Sequence, residues 1–486
     1  MKRIGWGIVV AYLVGATLCG TDRQSTVYGT GAAAPGYVLF SPLLSTATYL
    51  IDKNGRVVHA WDGDFAPGAS VYLLDDGHLL RPARDPDLPF FTGGGQGGRI
   101  QEFTWEGRLV WDFVLGSRER MPHHDIAPLP NGHVLAIVWE RKSRAEALRL
   151  GRRPERVGEA GLWPDCVLEI VPRPPTGGEI VWEWHVWDHL IQDRDPARPG
   201  HGRPSDHPQL VDVNGDLAPR GLTDEAMVRL QALGYLLRGA SAAEMGADFL
   251  HTNSIAYNPS LDQIALSVSR FNELWVIDHG TTTAQAAGHS GGRAGRGGDL
   301  LYRWGNPRAY GRGRAEHQQL FGQHDVRWIP PGLPGAGNLM VFDNGAGRPG
   351  EAYSSVLEIA PPLARDGSYS LRPGAAFGPA RPTWMYTASS RRSFFADFVS
   401  GAHRLPNGNT FICSGPTGRF FEVTSGTDVV WEYENLFSGD APNPAGDPPC
   451  SVFRATHIPP DHPALTGRDL RPLASAPRGA AVRVEQ

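Results

Sequence analysis

A repeated pair of sequence signals constrains the fold of this chain more than any other feature. The first signal is a short apolar run with one acidic residue, and the second is a run centred on tryptophan. The acid and the tryptophan are nine residues apart in three of the six copies. In chain order, the six pairs are Asp52 and Trp61, Glu102 and Trp111, Glu169 and Trp182, Asp278 and Trp304, Glu358 and Trp384, and Glu422 and Trp431. This strict alternation predicts a repeat protein whose unit contains two antiparallel strands.

A second pair of strands precedes most of the acid-bearing strands. The clearest example is Pro122–Leu135, in which a polar head with His124 and Asp125 leads into a Pro-Asn-Gly turn and a β-branched run. Asn-Gly between apolar runs is a strong hairpin signal. Related inner strands begin near Ser70, His251, His324 and His403. Four short strands, repeated at intervals of about 40 or more residues, are typical of a β-propeller blade.

The sixth inner strand is found near the C-terminus, at Val452–Ile458, and the N-terminal region supplies its partners at Tyr37–Phe40, Tyr49–Asp52 and Val57–Trp61. We therefore predict an all-β, six-bladed β-propeller over residues 36–465, in which strands from both ends of the chain complete one blade. Such pairing removes the sheet edges that an open ring would expose. The six tryptophans are expected to fill the wedges between blades, and the six acids to form structural pairs.

Residues 188–248 interrupt the repeat and are predicted to form a partly helical insertion over one end of the ring. Thr223 is a candidate N-cap, followed by an apolar face of Met227, Leu230, Leu233 and Leu237. A second irregular segment, Gly288–Gly298, is rich in glycine and arginine and separates two strands of one blade. Residues 466–486 are predicted to be a disordered tail.

Composition and charge limit the classes of function. The chain has 60 glycines and 41 prolines, which suits short strands joined by turns better than a helical protein. Its net charge is only -5 and no basic stripe stands out, so nucleic acid is not an expected partner.

Residues 1–20 have the pattern of an export signal or an N-terminal anchor. Lys2 and Arg3 precede the apolar stretch Ile8–Leu18. Cys19 gives a minority interpretation as a lipoprotein site. We expect an exported, periplasmic protein whose only membrane attachment would be through its N-terminus.

Three cysteines follow this predicted signal, at positions 166, 413 and 450. They are too few for a disulfide scaffold and have no zinc-site spacing. One bridge, such as Cys413 with Cys450, is compatible with the sequence, which cannot pair the cysteines by itself.

His124, His251 and His324 open three inner strands, and this shared position predicts a shared location. In a propeller the inner strands line a central channel, so residues at their first positions converge at one mouth. A lone histidine on a strand usually bonds locally and has no further role. We assign that structural role to His59, His78, His133, His185, His189, His279 and His457.

Three converging imidazoles suit two kinds of chemistry. They could hold zinc, iron or copper, although no His-x-His or His-Glu-x-x-His spacing is present. Alternatively, a neutral imidazole nitrogen could attack a phosphorus or sulfur centre and form a covalent intermediate. The transferred oxyanion would need cationic donors, and Arg348 could supply one, or it could form a surface pair with Glu351.

As a set, these motifs resemble the bacterial arylsulfotransferases that do not use the nucleotide sulfate donor. The motifs are His123–Ile126 with Leu129–Gly132, Leu250–Asn253, Gly322–Asp325, and Phe342–Gly345 with Arg348. The likeness runs from about Gly36 to Leu465. It implies a six-bladed propeller, export, and transfer of a sulfuryl group from an aryl sulfate ester to a phenol through a sulfated histidine. No cofactor and no metal are expected.

Within this resemblance, His251, His324 and Arg348 match the channel groups of the family. His403 lies in the blade that should carry the nucleophile, but only two residues before Leu405, whereas His124 lies five residues before Leu129. Its side chain therefore has the opposite parity to that of His124. Either His403 attacks from another depth, or His124 or His324 takes that role, or transfer activity has been lost.

Two other classes of function remain open at this point. One is a non-catalytic propeller that binds or scaffolds, and the other is a metal-dependent or quinone-linked oxidoreductase. Asp125 and Asp325 could orient the neighbouring imidazoles of the candidate site, or they could cap turns.

Overall fold

Strands joined by short hairpins build six antiparallel sheets in this computed structural model, which describes residues 12–17, 24–216, 223–237, 239–438 and 450–473. In each sheet, the strand nearest the axis is followed by three strands in hairpin order. The predicted six-bladed β-propeller is confirmed.

The described residues contain 28 strands and four α-helices. In chain order, the strands are β1 (Tyr12–Thr17), β2 (Gln24–Gly29), β3 (Tyr37–Pro42), β4 (Thr48–Asp52), β5 (Val57–Trp61), β6 (Tyr72–Leu73), β7 (Leu79–Arg84), β8 (Gly98–Phe103), β9 (Leu109–Val114), β10 (Arg120–Pro128), β11 (Val134–Glu140), β12 (Asp165–Arg173), β13 (Gly177–His185), β14 (Leu190–Ile191), β15 (Val211–Asp212), β16 (Thr252–Asn258), β17 (Gln263–Val268), β18 (Glu273–Asp278), β19 (Tyr302–Trp304), β20 (His324–Trp328), β21 (Leu339–Asp343), β22 (Ser355–Ile359), β23 (Trp384–Tyr386), β24 (Gly401–Arg404), β25 (Thr410–Ser414), β26 (Arg419–Val423), β27 (Val429–Glu434) and β28 (Val452–Ile458). The helices are α1 (Arg144–Arg149), α2 (Asp224–Ala232), α3 (Ala242–Met245) and α4 (Thr283–Ala286).

The ring closes in the blade formed by β28, β3, β4 and β5, which we call blade 1. There Ile458 lies opposite Tyr37, and Ala455 lies opposite Phe40. Blades 2 to 6 follow as β6–β9, β10–β13, β16–β19, β20–β23 and β24–β27. The prediction that both ends of the chain share one blade is therefore confirmed.

Each of the six repeated tryptophans lies on the outermost of the four blade strands, and its indole N–H donates a hydrogen bond to the next blade. Trp111 of blade 2 donates to the Gly177 carbonyl of blade 3 over 2.7 Å. The last contact, from Trp431 of blade 6 to the Lys53 carbonyl of blade 1 over 2.9 Å, completes the ring. The other four donors are Trp61, Trp182, Trp304 and Trp384, whose acceptors are Thr104, Thr281, Pro379 and Ser425.

The repeated acids form structural pairs, as expected. Glu422 binds Lys53 of the next blade over 3.0 Å. Glu169 contacts the imidazoles of His133 at 2.6 Å and His279 at 3.1 Å. These carboxylates therefore pin neighbouring strands and blades together.

Strand β2 was not anticipated from the repeat pattern. It pairs with β27, placing Val27 opposite Tyr433 and Gly29 opposite Trp431, and β1 pairs with β2 in turn. Blade 6 thus extends outward to six strands. Residues 1–11 and 18–20 of the predicted export signal lie outside the described residues, as do residues 474–486 of the predicted tail, and both assignments stay predictions.

The insertion covers the end of the ring at which the inner strands begin. Thr223 caps α2, as predicted, by accepting a hydrogen bond from the Ala226 amide over 3.2 Å. The helix ends at Ala232, before Gly234 with its φ of 78°, so the predicted helical position of Leu237 is wrong. The buried insertion residues pack against loops of several blades: Met227, Leu230, Tyr235, Leu236 and Met245 meet Leu43, Ala69, Phe398, Val399 and Phe453.

Cys413, on β25, is a buried free thiol, so the bridge suggested between Cys413 and Cys450 is not formed. Among the described residues, no helix has both the length and the apolar character needed to cross a membrane.

Candidate active site

Three inner strands carry irregular pairing where their histidines lie. In β10, Pro122 is opposite Val138 and Ile126 is opposite Ala136, so the three residues between them face a single partner. His124 there has a φ of 55°, and His251, just before β16, has a φ of 50°. Positive φ costs a non-glycine residue on the order of 1 kcal/mol or more and is concentrated at functional sites. The bulge in β10 takes the His124 side chain out of the strand's normal alternation, whereas the irregular pairs of β16 and β20 follow His251 and His324.

His124 and His251 lie next to each other and share one bridging group. Their ring centroids are 4.6 Å apart, with the rings nearly perpendicular. The Tyr235 hydroxyl lies 3.0 Å from His124 Nε2 and 2.9 Å from His251 Nε2. Tyr235 comes from the insertion, so the segment that interrupts the repeat completes the site. Sequence reasoning missed this residue.

The loop before β8 leaves room for this arrangement only because it is glycine. The His124 amide donates to the Gly95 carbonyl over 2.7 Å. A Cβ at Gly95 would lie 2.4 Å from the His124 ring, and one at Gly94 would lie 2.3 Å from the Tyr235 ring. The glycine backbone therefore forms a wall directly against both side chains.

Asp248 fixes the protons of this chain of polar groups. It accepts a short contact from His251 Nδ1, and its other oxygen accepts from the Trp139 indole over 3.1 Å. In the neutral His251, Nε2 is then an acceptor for the Tyr235 hydroxyl proton. The Tyr235 oxygen consequently accepts from His124 Nε2–H. Although burial opposes ionisation, the His251 imidazole holds the pKa of the Asp248 carboxyl below its usual range.

His123 continues the chain on the other side of His124. The two Nδ1 atoms are 2.8 Å apart, so His123 donates its proton to the remaining lone pair of His124. The His123 ring stacks on Trp139 with a centroid distance of 4.0 Å. His123 Nε2 lies 3.4 Å from Asp165 Oδ1 without a well-aligned hydrogen bond.

His324 has two nitrogens in very different surroundings. Its Nδ1 lies 2.7 Å from Asn344 Oδ1, while the Asn344 amide nitrogen donates to the carbonyls of Ala396 and Val399. Those two donations identify the Asn344 oxygen as an acceptor, so His324 Nδ1 must carry the proton. The lone pair is then on Nε2, which is buried and has no hydrogen-bond partner in the described part of the chain.

Burial keeps two imidazoles of the site, those of His124 and His324, uncharged. Burial, together with repulsion from His251, lowers the pKa of His324 to about 4. Burial, then repulsion from the neighbouring imidazoles, lowers the pKa of His124 well below its ordinary value. Burial raises the pKa of the Tyr235 hydroxyl. At neutral pH, His124 and His324 are therefore uncharged and the Tyr235 phenol is un-ionised.

Arg348 follows β21, as predicted, but its guanidinium is held by Asp343 through a short ion pair. Its guanidinium carbon lies 4.8 Å from the centre of the Phe321 ring and 4.2 Å from that of Tyr353. Its contacts within the described residues do not include His124, His251 or His324. Since Asn344 follows Asp343 directly, Arg348 braces the strand end that orients His324.

His403 lies apart from the other histidines. Strand β24 pairs with β25 in regular register, so no bulge among its residues redirects the side chain. His403 Nε2 accepts the His457 amide of blade 1 over 3.2 Å. Burial, then the positive charge of Arg327, lowers the pKa of His403 well below its usual value. The structure thus places His403 between two inner strands, away from Tyr235.

The residue that takes the position of His124 in blade 6 is Ser400. It precedes Leu405 by five residues, the offset of His124 from Leu129. Its backbone has a φ of 85°, and its hydroxyl accepts the Gly415 amide over 3.0 Å. The same five-residue offset in the sequence could have identified it.

Asp125 and Asp325 bind an arginine rather than orienting the imidazoles. Arg454 of β28 contacts Asp125 at 2.6 Å and Asp325 at 2.8 Å, and is nearly fully buried between them. Each carboxylate also accepts a backbone amide of the following blade, from Ile255 over 3.2 Å and from Ala402 over 3.0 Å. This network ties blades 1, 3 and 5 together beneath the histidines.

Side chains that could bind a metal ion cluster away from these three histidines. In the portion of the chain described here, three groups place their ligand atoms within 4.8 Å of one another, and none includes His124, His251 or His324. The groups are Glu140 with Cys166 and His185, His189 with His289 and Asp299, and Asp76 with His78 and Glu102.

Comparison with known proteins identifies a family, but the similarity to individual proteins and solved structures is weak. No curated protein sequence matches the chain. Similar solved structures include a protein of unknown function from Bacteroides caccae, with 11% identity over 87% of this chain and 99% of that one and a TM-score of 0.43. Virginiamycin B lyase from Staphylococcus aureus has 9% identity over 87% and 83%, with a TM-score of 0.34. AztD from Citrobacter koseri has 8% identity over 87% and 99%, with a TM-score of 0.35. TM-scores this low carry no argument about function.

The sequence model of one family matches most of the chain. Residues 41–436, which include five complete blades and the insertion, match the arylsulfotransferase (ASST) family, and membership supports a sulfotransferase enzyme. The chain belongs to the arylsulfotransferase (ASST) family.

Proposed function

We propose that this protein transfers a sulfuryl group from an aryl sulfate ester to a phenolic acceptor, with His324 Nε2 as the attacking atom. The observation that carries the assignment is the environment of that nitrogen. It is buried, it has no hydrogen-bond partner among the described residues, and Asn344 fixes the proton on the opposite nitrogen. A nucleophile must be uncharged and desolvated, and His324 meets both conditions.

In the first half-reaction, the His324 Nε2 lone pair forms a bond to sulfur as the ester S–O bond breaks. The phenolate leaves with the electrons of that bond and needs a proton. Tyr235 can donate its hydroxyl proton to the phenolate, and the tyrosinate oxygen that remains accepts a hydrogen bond from His124 Nε2–H over 3.0 Å. In the second half-reaction, the acceptor hydroxyl gives its proton to the Tyr235 oxygen as it attacks sulfur, and the N–S bond breaks with its electrons returning to His324 Nε2.

His251 and Asp248 position the proton donor. Asp248 holds the Nδ1 side of His251, and the opposite nitrogen, Nε2, holds the Tyr235 hydroxyl at 2.9 Å. Arg348 has a more remote role than the family resemblance implies. Its ion pair with Asp343 supports the end of β21 and therefore the Asn344 side chain.

The assignment is tested by substituting two buried histidines of the inner strands. His324→Gln should lower nitrophenolate release from 4-nitrophenyl sulfate, with a phenol as acceptor, by at least about 10³-fold. His403→Gln is the matched control and should retain activity within a few-fold. Mass spectrometry after incubation with the donor alone should find the sulfuryl group on the peptide that contains His324.

The outcomes separate the proposed enzyme from its alternatives. Equal activity of wild type and His324→Gln would remove His324 from the mechanism, and a sulfuryl group on His124 or His403 would reassign it. One observation favours a non-catalytic binding protein, namely that Ser400 stands where a further axial histidine could have been. That alternative predicts no nitrophenolate release and no modified histidine from folded wild-type protein.

We further propose that the protein acts outside the cytoplasm, because Lys2, Arg3 and the apolar stretch after them have the pattern of an export signal. Cell fractionation should find the protein in the periplasm or on a membrane. Removing residues 1–20 should leave it in the cytoplasm.

A further inference from the structure

The glycine-rich segment Gly288–Gly298 has no part in the proposed reaction, yet it is folded tightly onto a buried histidine. His189 lies at the start of the insertion, its side chain is 0% exposed, and its ring is nearly parallel to that of Trp184 with a centroid distance of 5.8 Å. A Cβ at Gly298 would lie 1.9 Å from the Ala286 carbonyl oxygen and 2.6 Å from His189 Nε2. The segment therefore has to be glycine at this point to enclose the imidazole.

Both ring nitrogens of His189 face hydrogen-bond acceptors, although a neutral imidazole has only one N–H group. Its Nε2 lies 2.8 Å from the carbonyl oxygen of Ala286, the last residue of α4. A carbonyl can only accept, so Nε2 carries the proton of the neutral ring. The Nδ1 lone pair then faces Asp299 Oδ1, another acceptor, at 2.9 Å. Two acceptor atoms at that distance are bridged either by a second proton on His189 or by a metal cation.

A third ligand atom reaches the same point. His289 Nδ1 lies 2.7 Å from Asp299 Oδ1. His189 and His289 are thus both directed at one carboxylate oxygen, while Asp299 is almost fully buried and His289 is 61% exposed. Entry from solvent is therefore open on the His289 side only.

We propose that His189, His289 and Asp299 bind a divalent transition-metal ion, best represented by zinc. Two imidazole nitrogens and a carboxylate oxygen form a donor set that zinc accepts, with solvent in the fourth position. The Ala286 carbonyl would hold the opposite nitrogen of His189, as outer-shell acceptors do at metal sites. Ligand atoms in a tetrahedral zinc site are about 3.3 Å apart, so metal binding requires an outward movement of only about 0.5 Å.

The proposed ion would fasten the insertion to blade 4. His189 lies at the start of the insertion that carries Tyr235, whereas His289 and Asp299 belong to the connection between β18 and β19. The site would therefore have a structural role and is not part of the reaction centre.

Zinc binding by the purified full chain tests this inference. Protein stripped with a chelator, dialysed against zinc chloride and then desalted should retain one zinc ion per chain by elemental analysis. His289→Ala should weaken zinc binding by more than about 100-fold, because removal of a ligand exceeds the effect of outer-shell changes. Its exposure makes this substitution compatible with folding, which circular dichroism verifies.

The two other clusters of potential ligands provide matched controls. His78→Ala and His185→Ala remove histidines from the remaining groups and should leave zinc retention unchanged. Zinc should raise the melting temperature of wild type but not of His289→Ala. Absence of retained zinc in wild type would overturn the proposal and leave a protonated His189 paired with Asp299. Retention that is equal in wild type and His289→Ala would also overturn it.

Discussion

At the scale of single residues, the chemistry depends on which nitrogen of each imidazole carries its proton. Asn344 decides this for His324, because its amide nitrogen is anchored to two backbone carbonyls and cannot rotate to donate. Asp248 decides it for His251 in the same way. The structure therefore separates a lone pair that can attack, on His324, from a proton that can be delivered, on Tyr235.

With His324 as the nucleophile, the acidic limb of the pH–rate profile should lie at an unusually low pH. Because burial lowers the pKa of His324 to about 4, its neutral form predominates at all higher pH values. We expect kcat/KM for 4-nitrophenyl sulfate to be constant between about pH 5 and 7 and to fall about tenfold per pH unit below about 4. Quenched samples read at alkaline pH would give the profile. A limb centred near the ordinary histidine value of about 6.5 would instead indicate a less buried imidazole.

Single residues also mark the limit of what could be read from the sequence. The common position of His124, His251 and His324 was visible because the repeat aligns them. Tyr235 belongs to no repeat, so no spacing connected it with these histidines. The partner of Arg348 was equally hidden, since Asp343 and Glu351 are both close to it in the chain. The register of the repeat placed the His403 side chain on the opposite side of its strand from that of His124. Strand β24 has no bulge that would change this direction.

At the scale of elements, the insertion is as important as the blades. It carries Tyr235 on the turn after α2 and holds it through contacts with Phe398 and neighbouring apolar residues. Every substrate must displace this phenol or bind beside it. In the proposed reaction, the insertion therefore supplies the proton donor of the site.

The proton-donor role predicts a dependence on the leaving group. Tyr235→Phe keeps the ring but removes the hydroxyl that bridges His124 and His251. We expect transfer from aryl sulfates with basic leaving phenols to fall by about 10²–10³-fold, whereas 4-nitrophenyl sulfate, whose phenolate needs little protonation, should be affected much less. A series of substituted phenyl sulfates would measure the difference in slope. An equal loss for all donors would indicate that Tyr235 only positions its neighbours.

At the scale of the whole molecule, the six tryptophans make the ring a closed series of blade-to-blade contacts. Trp111→Ala removes a fully buried ring and its hydrogen bond to blade 3, and should cost about 3–5 kcal/mol in the free energy of unfolding. Trp111→Phe should cost less, since most of the buried ring area is kept. Val228→Ala, at a residue that is 59% exposed, is the control. Denaturant unfolding would contradict the view of the ring if Trp111→Ala behaved like that control.

The buried neutral histidines predict a loss of stability in acid. Burial lowers the pKa of both His324 and His457 to about 4, so the unfolded chain binds protons at these sites before the folded chain does. Their contribution is fully present above about pH 6.5 and is lost as the pH falls to about 4, at about 3 kcal/mol for each residue. Melting temperatures measured across this interval should decrease. For His457→Gln they should decrease less steeply.

The global architecture was the most predictable part of the protein. Tryptophan and acid signals mark the third and fourth strands of every blade, because those strands form the contacts between blades. Strand β2 escaped prediction because it adds to the outside of a blade that is already complete. The end of α2 at Ala232 was missed because Leu233 and Leu237 continue the apolar spacing, while Gly234 stops the helix.

The pairing of β28 with β3 also dictates an order of events during folding. The two strands are separated by most of the chain, so blade 1 cannot form until synthesis has reached Ile458. Until then β3 presents an unpaired edge in the incomplete blade 1. A chain that crosses a membrane before folding would avoid this exposed intermediate in the cytoplasm. The pairing of the two ends of the chain is thus a reason for the ring to close late in folding.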